Sequence, residues 1–411
     1  MKKFVSLIFV LLLCLSTLSV GAAAVTENEI EALRGTTLYV YNWGEYISDG
    51  TDDTVDVNAA FEEKYGIDVV YDTYDNNEVM YSKLKGGGVS YDIVIPSDYM
   101  IGRMIAEDML AKIDFDNIPN YEYIDEKYRN LEYDPTNEYS VPYSVGMVGL
   151  IYNTAMVDYA PDSWEALWDE DYSGQILMFN NPRDAFAIAQ SLLSVDYNTE
   201  SERSWKTVAD VLREQKNVSP SYVNDEIFLK METGEAAMGP YYAGDFLSMY
   251  ENNNDLAFVY PKEGVNFFVD AMCILKDSKN KLAAELYINF LLEPDIALAN
   301  AEYICYASPN TEVFNNPEYT YYQNEILYPA DGKFKTQIFT NLSADTLALM
   351  SELWDDVKNY TPNGVTGSDH STGDLSDPQA QKYALYIGIF AAICLAYVLF
   401  RFIRKKYRES V

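Results

Sequence analysis

The chain has 411 residues, 48% hydrophobic and 14% aromatic, and a formal net charge of −35; acid in such excess repels a phosphate backbone and excludes nucleic acid as a partner. Its single histidine, His370, lies near the C-terminus and its cysteines number only four, so the folded body can hold neither a Ser-His-Asp or Cys-His arrangement nor a histidine-based zinc site. Gly86-Gly87-Gly88 lacks the lysine of a phosphate-cradling P-loop, so ATP hydrolysis would belong to another chain and no cofactor is called for.

Lys2 and Lys3, the apolar run Phe4 to Leu13 and the small residues ending at Ala22-Ala23-Ala24 have the layout of a secretory signal peptide over 1–24. Leu13 stands before Cys14 where a lipoprotein site wants a small residue, so Cys14 reads as part of the apolar run. The strand-like Leu38-Tyr39-Val40 leads into Tyr41-Asn42-Trp43-Gly44-Glu45-Tyr46, which crowds rings around a carboxylate at a strand end. Standing alone, this is the composition of a buried β-edge. Ligands of open α/β sheets, however, bind beyond the carboxyl ends of strands, and a carboxylate flanked by rings offers an ammonium both charge pairing and cation–π contact.

Val57, Ala60, Phe61 and Tyr65 recur at helical spacing with Gly66 as a stop, and the pattern then predicts a strand Ile67–Tyr71, a helix around Glu78–Lys85 and a strand Ile93–Ile95. A second α/β stretch runs from about Val145 to Val259, with a strand at Gln175–Phe179 and helices around Asp184–Leu193 and Trp205–Gln215. Trp164 and Trp168, at i and i+4, read as packing residues. Repeated βα units predict a parallel or mixed sheet covered by helices. A body of roughly 335 residues exceeds one domain of typical size, so two lobes are expected.

Thr361 to Gln381, rich in Gly, Ser, Thr, Asp and Pro, reads as a flexible linker over 361–381. Tyr383 to Phe400 contains no charged side chain, and 18 residues at ~1.5 Å each reach about 27 Å, close to a bilayer's hydrocarbon thickness. Arg401, Arg404, Lys405, Lys406 and Arg408 follow, so a transmembrane helix is expected over 383–403 with a basic cytoplasmic tail at 404–411 and the body outside the cell membrane. Without the two N-terminal lysines and the net +4 of the residues from Arg401 on, the exported part carries −41. Such a charge makes a solvated surface and also concentrates cations nearby.

Several segments carry more than composition: the loop Tyr41 to Tyr46, Tyr91-Asp92-Ile93-Val94-Ile95-Pro96-Ser97-Asp98-Tyr99, Ser163-Trp164 with Leu167-Trp168 and Tyr172-Ser173-Gly174, Pro261-Lys262-Glu263-Gly264, and Ile288-Asn289-Phe290-Leu291-Leu292 with Pro294-Asp295. Together, from about Leu38 to Tyr328, they resemble the bacterial spermidine/putrescine-binding proteins, extracytoplasmic receptors of polyamine ABC importers. The resemblance implies an α/β, two-lobed periplasmic-binding-protein-like fold with an interlobe cleft. Lobe one would take 37–143 and 269–314, lobe two 144–268 and 315–360. It further implies a non-enzymatic receptor whose partners are a polyamine and the importer's permease and ATPase subunits.

A polyamine needs carboxylates at separated points, aromatic walls for its methylenes and acceptors for its remaining N–H groups. Residue by residue, the resemblance assigns ligand contact to Trp43, Glu45 and Tyr46, to Ser97 and Tyr99, and to Tyr242, where the family has a pocket tryptophan. Asp245 matches an aspartate of putrescine-specific members, Phe268 and Asp270 match an aromatic-x-Asp element with Asp270 as the principal ammonium partner, and Tyr306 and Gln337 complete the match. Where spermidine-preferring members place two acids around an Ala-Arg pair, this chain reads Asn181-Pro182-Arg183-Asp184; one acid is lost and Asp184 is shortened, which leans toward putrescine or mixed specificity. Ser97 could instead cap the following helix, and Arg183 is expected to pair with a neighbouring acid. Cys273 and Cys305 lie close to proposed pocket residues and could pair or stand as free buried thiols. The alternatives are a binding protein for another organic cation and a surface glycoside hydrolase using Glu45 and Asp270.

Overall fold

The computed structural model describes residues 25–361 apart from 220 and 331. The expected signal segment, the linker beyond Thr361, the membrane helix and the basic tail fall outside those residues. Among the described residues no helix is long and apolar enough to cross a membrane.

Helix α1 (Glu27–Leu33) opens on a capping box between Thr26 and Glu29. Alternating units follow: β1 (Thr37–Trp43), α2 (Val57–Tyr65), β2 (Asp68–Tyr74), α3 (Asn77–Gly86), β3 (Ile93–Val94) and α4 (Asp98–Ala106). The side chains of Asp56 and Asn76 accept the amides of Ala59 and Val79 at two helix starts. Gly66, at φ 68°, ends α2 in the left-handed conformation that a residue without Cβ adopts freely. β1 lies parallel to both β2 and β3, so Trp43, Tyr74 and Val94 finish on one edge of the sheet. β2 ends three residues beyond its expected end, at Tyr74, and so delivers that ring to the same edge.

The second half holds β4 (Ser140–Asn153), β5 (Leu177–Phe179), α5 (Pro182–Leu193), α6 (Glu202–Gln215), β6 (Ser221–Val223), α7 (Glu226–Glu232), β7 (Met238–Tyr242), α8 (Ala243–Asn252), β8 (Leu256–Val259) and β9 (Val265–Ile274). It closes with α9 (Lys281–Leu291), α10 (Pro294–Ile304), α11 (Thr311–Phe314), β10 (Thr336–Gln337) and α12 (Ala344–Asn359). Strands β4 and β9 organise the whole. From Ser140 to Met147 β4 runs antiparallel to β9, and from Val148 onward it pairs instead with β7 and β8. β9 in turn reaches β3, with Ile274 opposite Ile93. The sheet order is therefore β2-β1-β3-β9-β4-β7, with β8 also on β4 and β10 also on β9. β5 and β6 form a parallel pair tied to β7 through Ile176 and Met238. Two α/β lobes thus share two crossing strands, as expected of the two-lobed class.

Pro142 has no N–H to donate, and the register of β4 against β9 shifts between it and Ser144. Gly149 lets the Phe258 ring lie on the strand: a Cβ there would stand 2.2 Å from the ring's Cζ. Trp164 is buried and its indole N–H donates to the Gly264 carbonyl at 2.9 Å, while that of Trp168 donates to Val211 at 3.1 Å; both pack, as their spacing predicts. Cys273 and Cys305 are free buried thiols.

The core is aromatic as well as aliphatic. Fully buried Phe61 on α2 sits 5.0 Å from Tyr287 and 5.5 Å from Phe290 of α9, ring centre to ring centre. Removing a buried ring loses its transfer free energy and leaves a cavity. Phe61→Ala is expected to lower unfolding stability by about 3–5 kcal/mol in urea melts; a loss below about 1 kcal/mol would show that this helix contact is dispensable.

Candidate functional site

The carboxyl edge of β1–β3 and the crossing of β4 with β9 enclose a cavity of ≈ 720 Å³. At its first corner β1 delivers Trp43, whose indole N–H donates to the Ile95 carbonyl at 2.9 Å and whose ring leans on Tyr74 at 4.7 Å. The chain then turns through Glu45, held at φ 52°. Glu45 is left exposed at the rim and Tyr46 buried beneath it. Ser97 occupies the N-cap position of α4 but makes no side-chain cap bond. Its hydroxyl accepts from Asn77 Nδ2 at 3.1 Å and lines the cavity, which corrects its reading as a mere cap. The Tyr99 hydroxyl donates to Glu78 Oε1 at 2.8 Å.

Three carboxylates repeat one motif. Tyr46 donates to Asp270 Oδ2 at 2.7 Å, Tyr242 to Asp184 Oδ2 at 2.8 Å, and Tyr306 to Asp245 Oδ2 at 2.8 Å. Burial pushes Asp270 up to about 6 and Asp184 and Asp245 up to about 7; the Ser97 hydroxyl and then the Tyr46 phenol pull Asp270 the other way, as the phenols of Tyr242 and Tyr306 do Asp184 and Asp245. Asp98, fully buried on the cavity floor, is pushed up to about 8, again by burial. Asp270 Oδ1 accepts no hydrogen bond. A buried carboxylate with an idle oxygen is an acceptor waiting for a cationic donor.

Glycines admit the rings. A Cβ on Gly146 would stand 2.5 Å from the Phe268 ring, and one on Gly244 within 2.7 Å of three Tyr306 ring atoms. Phe268 thereby meets Tyr242 edge-on at 5.5 Å, and Tyr46 meets Tyr306 at 5.3 Å. These rings present faces and edges at which methylenes and ammonium groups both find contact.

Eleven residues singled out from the sequence line this one cavity: Trp43, Glu45, Tyr46, Ser97, Tyr99, Asp184, Tyr242, Asp245, Phe268, Asp270 and Tyr306. Gln337 does not. Its Oε1 accepts the Tyr197 amide at 3.2 Å, and Phe339, two residues on, is the ring that reaches the wall. Sequence reasoning also missed Asp75, Asp98, Asp225, Glu251 and Glu302, which bring the lining carboxylates to nine against one basic side chain, Arg183; such an excess suits a cation and opposes an anion. Asp225 accepts from Tyr241, the neighbour of Tyr242, at 3.0 Å. Arg183 is not ion-paired as expected: its guanidinium lies 4.3 Å from the Phe339 ring centre and bonds to Asn198 Oδ1 and the Thr340 carbonyl. Among the described residues no group of His, Cys, Asp and Glu could hold a metal ion.

A family model described as bacterial extracellular solute-binding protein matches residues 57–336. A spermidine/putrescine-binding periplasmic protein of Salmonella typhimurium is 32% identical over 345 residues, covering 83% of this chain and 97% of that protein. Among solved structures, a Listeria monocytogenes chain provisionally assigned to a spermidine/putrescine ABC transporter superposes with a TM-score of 0.75 at 34% identity, covering 79% of this chain and all of that one. The substrate-binding protein of a Streptococcus pneumoniae spermidine/putrescine ABC transporter gives 0.67, also at 34% identity, covering 79% and 99%.

The raised carboxyl groups make stability depend on pH. Their folded values, about 6 to about 8, lie above the ordinary 3.8, so the neutral form is favoured on folding. The stabilisation is complete below about pH 4 and fades as pH rises through 6 to 8. The ligand-free chain is therefore expected to melt at lower temperature at pH 8 than at pH 5.5, with Asp184→Asn flattening that slope. A melting temperature that rises over this window would contradict the assignment.

Proposed function

This chain belongs to the bacterial extracellular solute-binding proteins, and from that premise we propose that it captures polyamines, putrescine and spermidine among them, and delivers them to the permease and ATPase of an ABC importer. One observation carries the ligand class: buried aspartates, each held by a tyrosine hydroxyl, converge on an aromatic cavity whose lining carries nine acids and a single base. A flexible alkyl chain with ammonium groups at separated points meets separated counter-charges there. Each charge-assisted hydrogen bond contributes ~1.5–3 kcal/mol and each cation–π contact about 0.5–2, so the placement of Asp184, Asp245 and Asp270 governs affinity and the rings govern fit.

The lobe limits proposed at 143/144 and 268/269 are supported by the stretch where β4 leaves β9 for β7 and β8. Rotation about those two strands would close the cavity over its ligand. The loss of an acid at Asn181, whose side chain accepts the Arg183 amide at 3.0 Å, together with the presence of Asp245, favours putrescine or mixed specificity over a strong spermidine preference. The glycosidase alternative finds no support, since the family is one of solute-binding proteins and Glu45 is a rim residue unlike buried Asp270.

The charge-free run Tyr383 to Phe400 and the basic residues after it motivate the finer reading that the receptor is tethered to the outer face of the cell membrane. A chain ended at residue 361 is expected to appear in the soluble fraction, while the full chain sediments with membranes; equal partitioning would remove the tether.

Asp270→Asn is expected to weaken putrescine binding at least tenfold, about 1.4 kcal/mol, by isothermal titration. Unchanged affinity would take Asp270 out of the site, and a large spermidine preference in the unaltered chain would overturn the specificity reading.

A further inference from the structure

Tyr99 and Arg183 each face two spaces. On one side lies the acidic cavity; on the other lies a second cavity of ≈ 520 Å³ between α3 and α4 and the chain from Thr340 to Trp354. Arg183 is 2% exposed. One nitrogen, Nη2, is bonded, while Nε and Nη1 are buried and have no partner. No carboxylate among the described residues lies within ion-pair distance of it. Across the Tyr99 ring, which the guanidinium faces at 5.5 Å, the Tyr99 hydroxyl donates to Glu78 Oε1, and Glu78 Oε2 is buried and accepts nothing. A guanidinium with two buried, unpartnered nitrogens and a carboxylate with one buried, unpartnered oxygen thus both meet one ring. The other charges of this second cavity are already matched: Arg103 lies 3.1 Å from Glu107 and over the Tyr81 ring, and Glu107 also takes Lys85.

Glu78 stands on α3, packed beside β2, and Arg183 on α5, packed on β5, β9 and α6; the two helices belong to the two α/β stretches that β4 and β9 join. Orphaned buried charge is unfavourable, and a rotation about β4 and β9 that brought the two groups together would remove both orphans. Resting on the amine-binding reading above, we propose that Arg183 and Glu78 are a closing pair: they join across the cleft when ligand is held and keep Tyr99 and Phe339 pressed against it. Arg183 is in this role a positioning residue, acting on the ligand through Tyr99. Because the pair forms only in the closed state, it slows ligand escape and leaves entry almost untouched.

The test is a double-mutant cycle with Arg183→Gln, Glu78→Gln and both together, read by stopped-flow release of putrescine and by urea melts of the ligand-free chain. Each single change is expected to speed release about tenfold with association altered less than threefold, and the double variant to release no faster than the faster single one. In the ligand-free melts the two changes are expected to add. Unchanged release, release in the double variant equal to the product of the two single effects, or the same coupling in the ligand-free melts would each overturn the closing pair. Should Arg183→Gln not fold, Arg183→Lys replaces it, expected to speed release with Glu78 present and to have no further effect once Glu78 is Gln; an equal effect in both backgrounds would overturn the pair. Unaltered protein that takes up neither putrescine nor spermidine overturns the amine reading itself and the pair with it, whereas unaltered protein that binds while its variants release at the same rate overturns the pair alone.

Discussion

Everything in the described chain is arranged around carboxylates kept out of water. An isolated buried carboxylate is among the most unfavourable groups a fold can contain, and this one gathers Asp98, Asp184, Asp245 and Asp270 in one crevice. Phenol hydroxyls from Tyr46, Tyr242 and Tyr306 supply one hydrogen bond to each of three of them. The groups respond by shifting toward their neutral forms. A ligand with positive charge supplies what the protein withholds, so the site is poised electrostatically and its geometry is set by strands and rings.

That poise explains the division of labour in the fold. Short β1, β2 and β3 end on one edge and offer loops, which is where a carboxylate can sit at a rim. The long β4 and β9 carry the deep residues, Phe268 and Asp270, at the very place where β4 changes neighbours. Ligand and hinge are thus parts of one object: a cation seated on Asp270 touches a strand that both lobes share. Tyr306, two residues past α10, and Asp245 on α8 meet in the same way, through a hydrogen bond at the cavity wall.

Much of this was legible in the amino acids. The alternating βα pattern, Gly66 as a helix stop and the ring-and-carboxylate loop after β1 all follow from local rules, and eleven of the residues that the resemblance singles out line one cavity. What was illegible shares a cause. Asp75, Asp225, Glu251 and Glu302 become lining residues only through tertiary placement, and no periodicity marks them. Gln337 was misplaced because β10 is two residues long and offers no alternation from which to tell one face from the other; the wall is made by Phe339. Arg183 was expected to seek an acid, but Phe339, Asn198 and Thr340 hold it first, a choice set by packing beyond the reach of sequence neighbours.

The glycines of β4 have a consequence of their own. Gly146 and Gly149 leave the strand bare where the Phe268 and Phe258 rings rest on it. The strand that pairs with β9 on one side of this point and with β7 and β8 on the other is therefore thinnest where it changes neighbours, and side-chain bulk there would act as a wedge. Relatives that swap these positions for larger residues could retune the resting gape, and with it the tightness of grip, while every acid in the crevice stays in place.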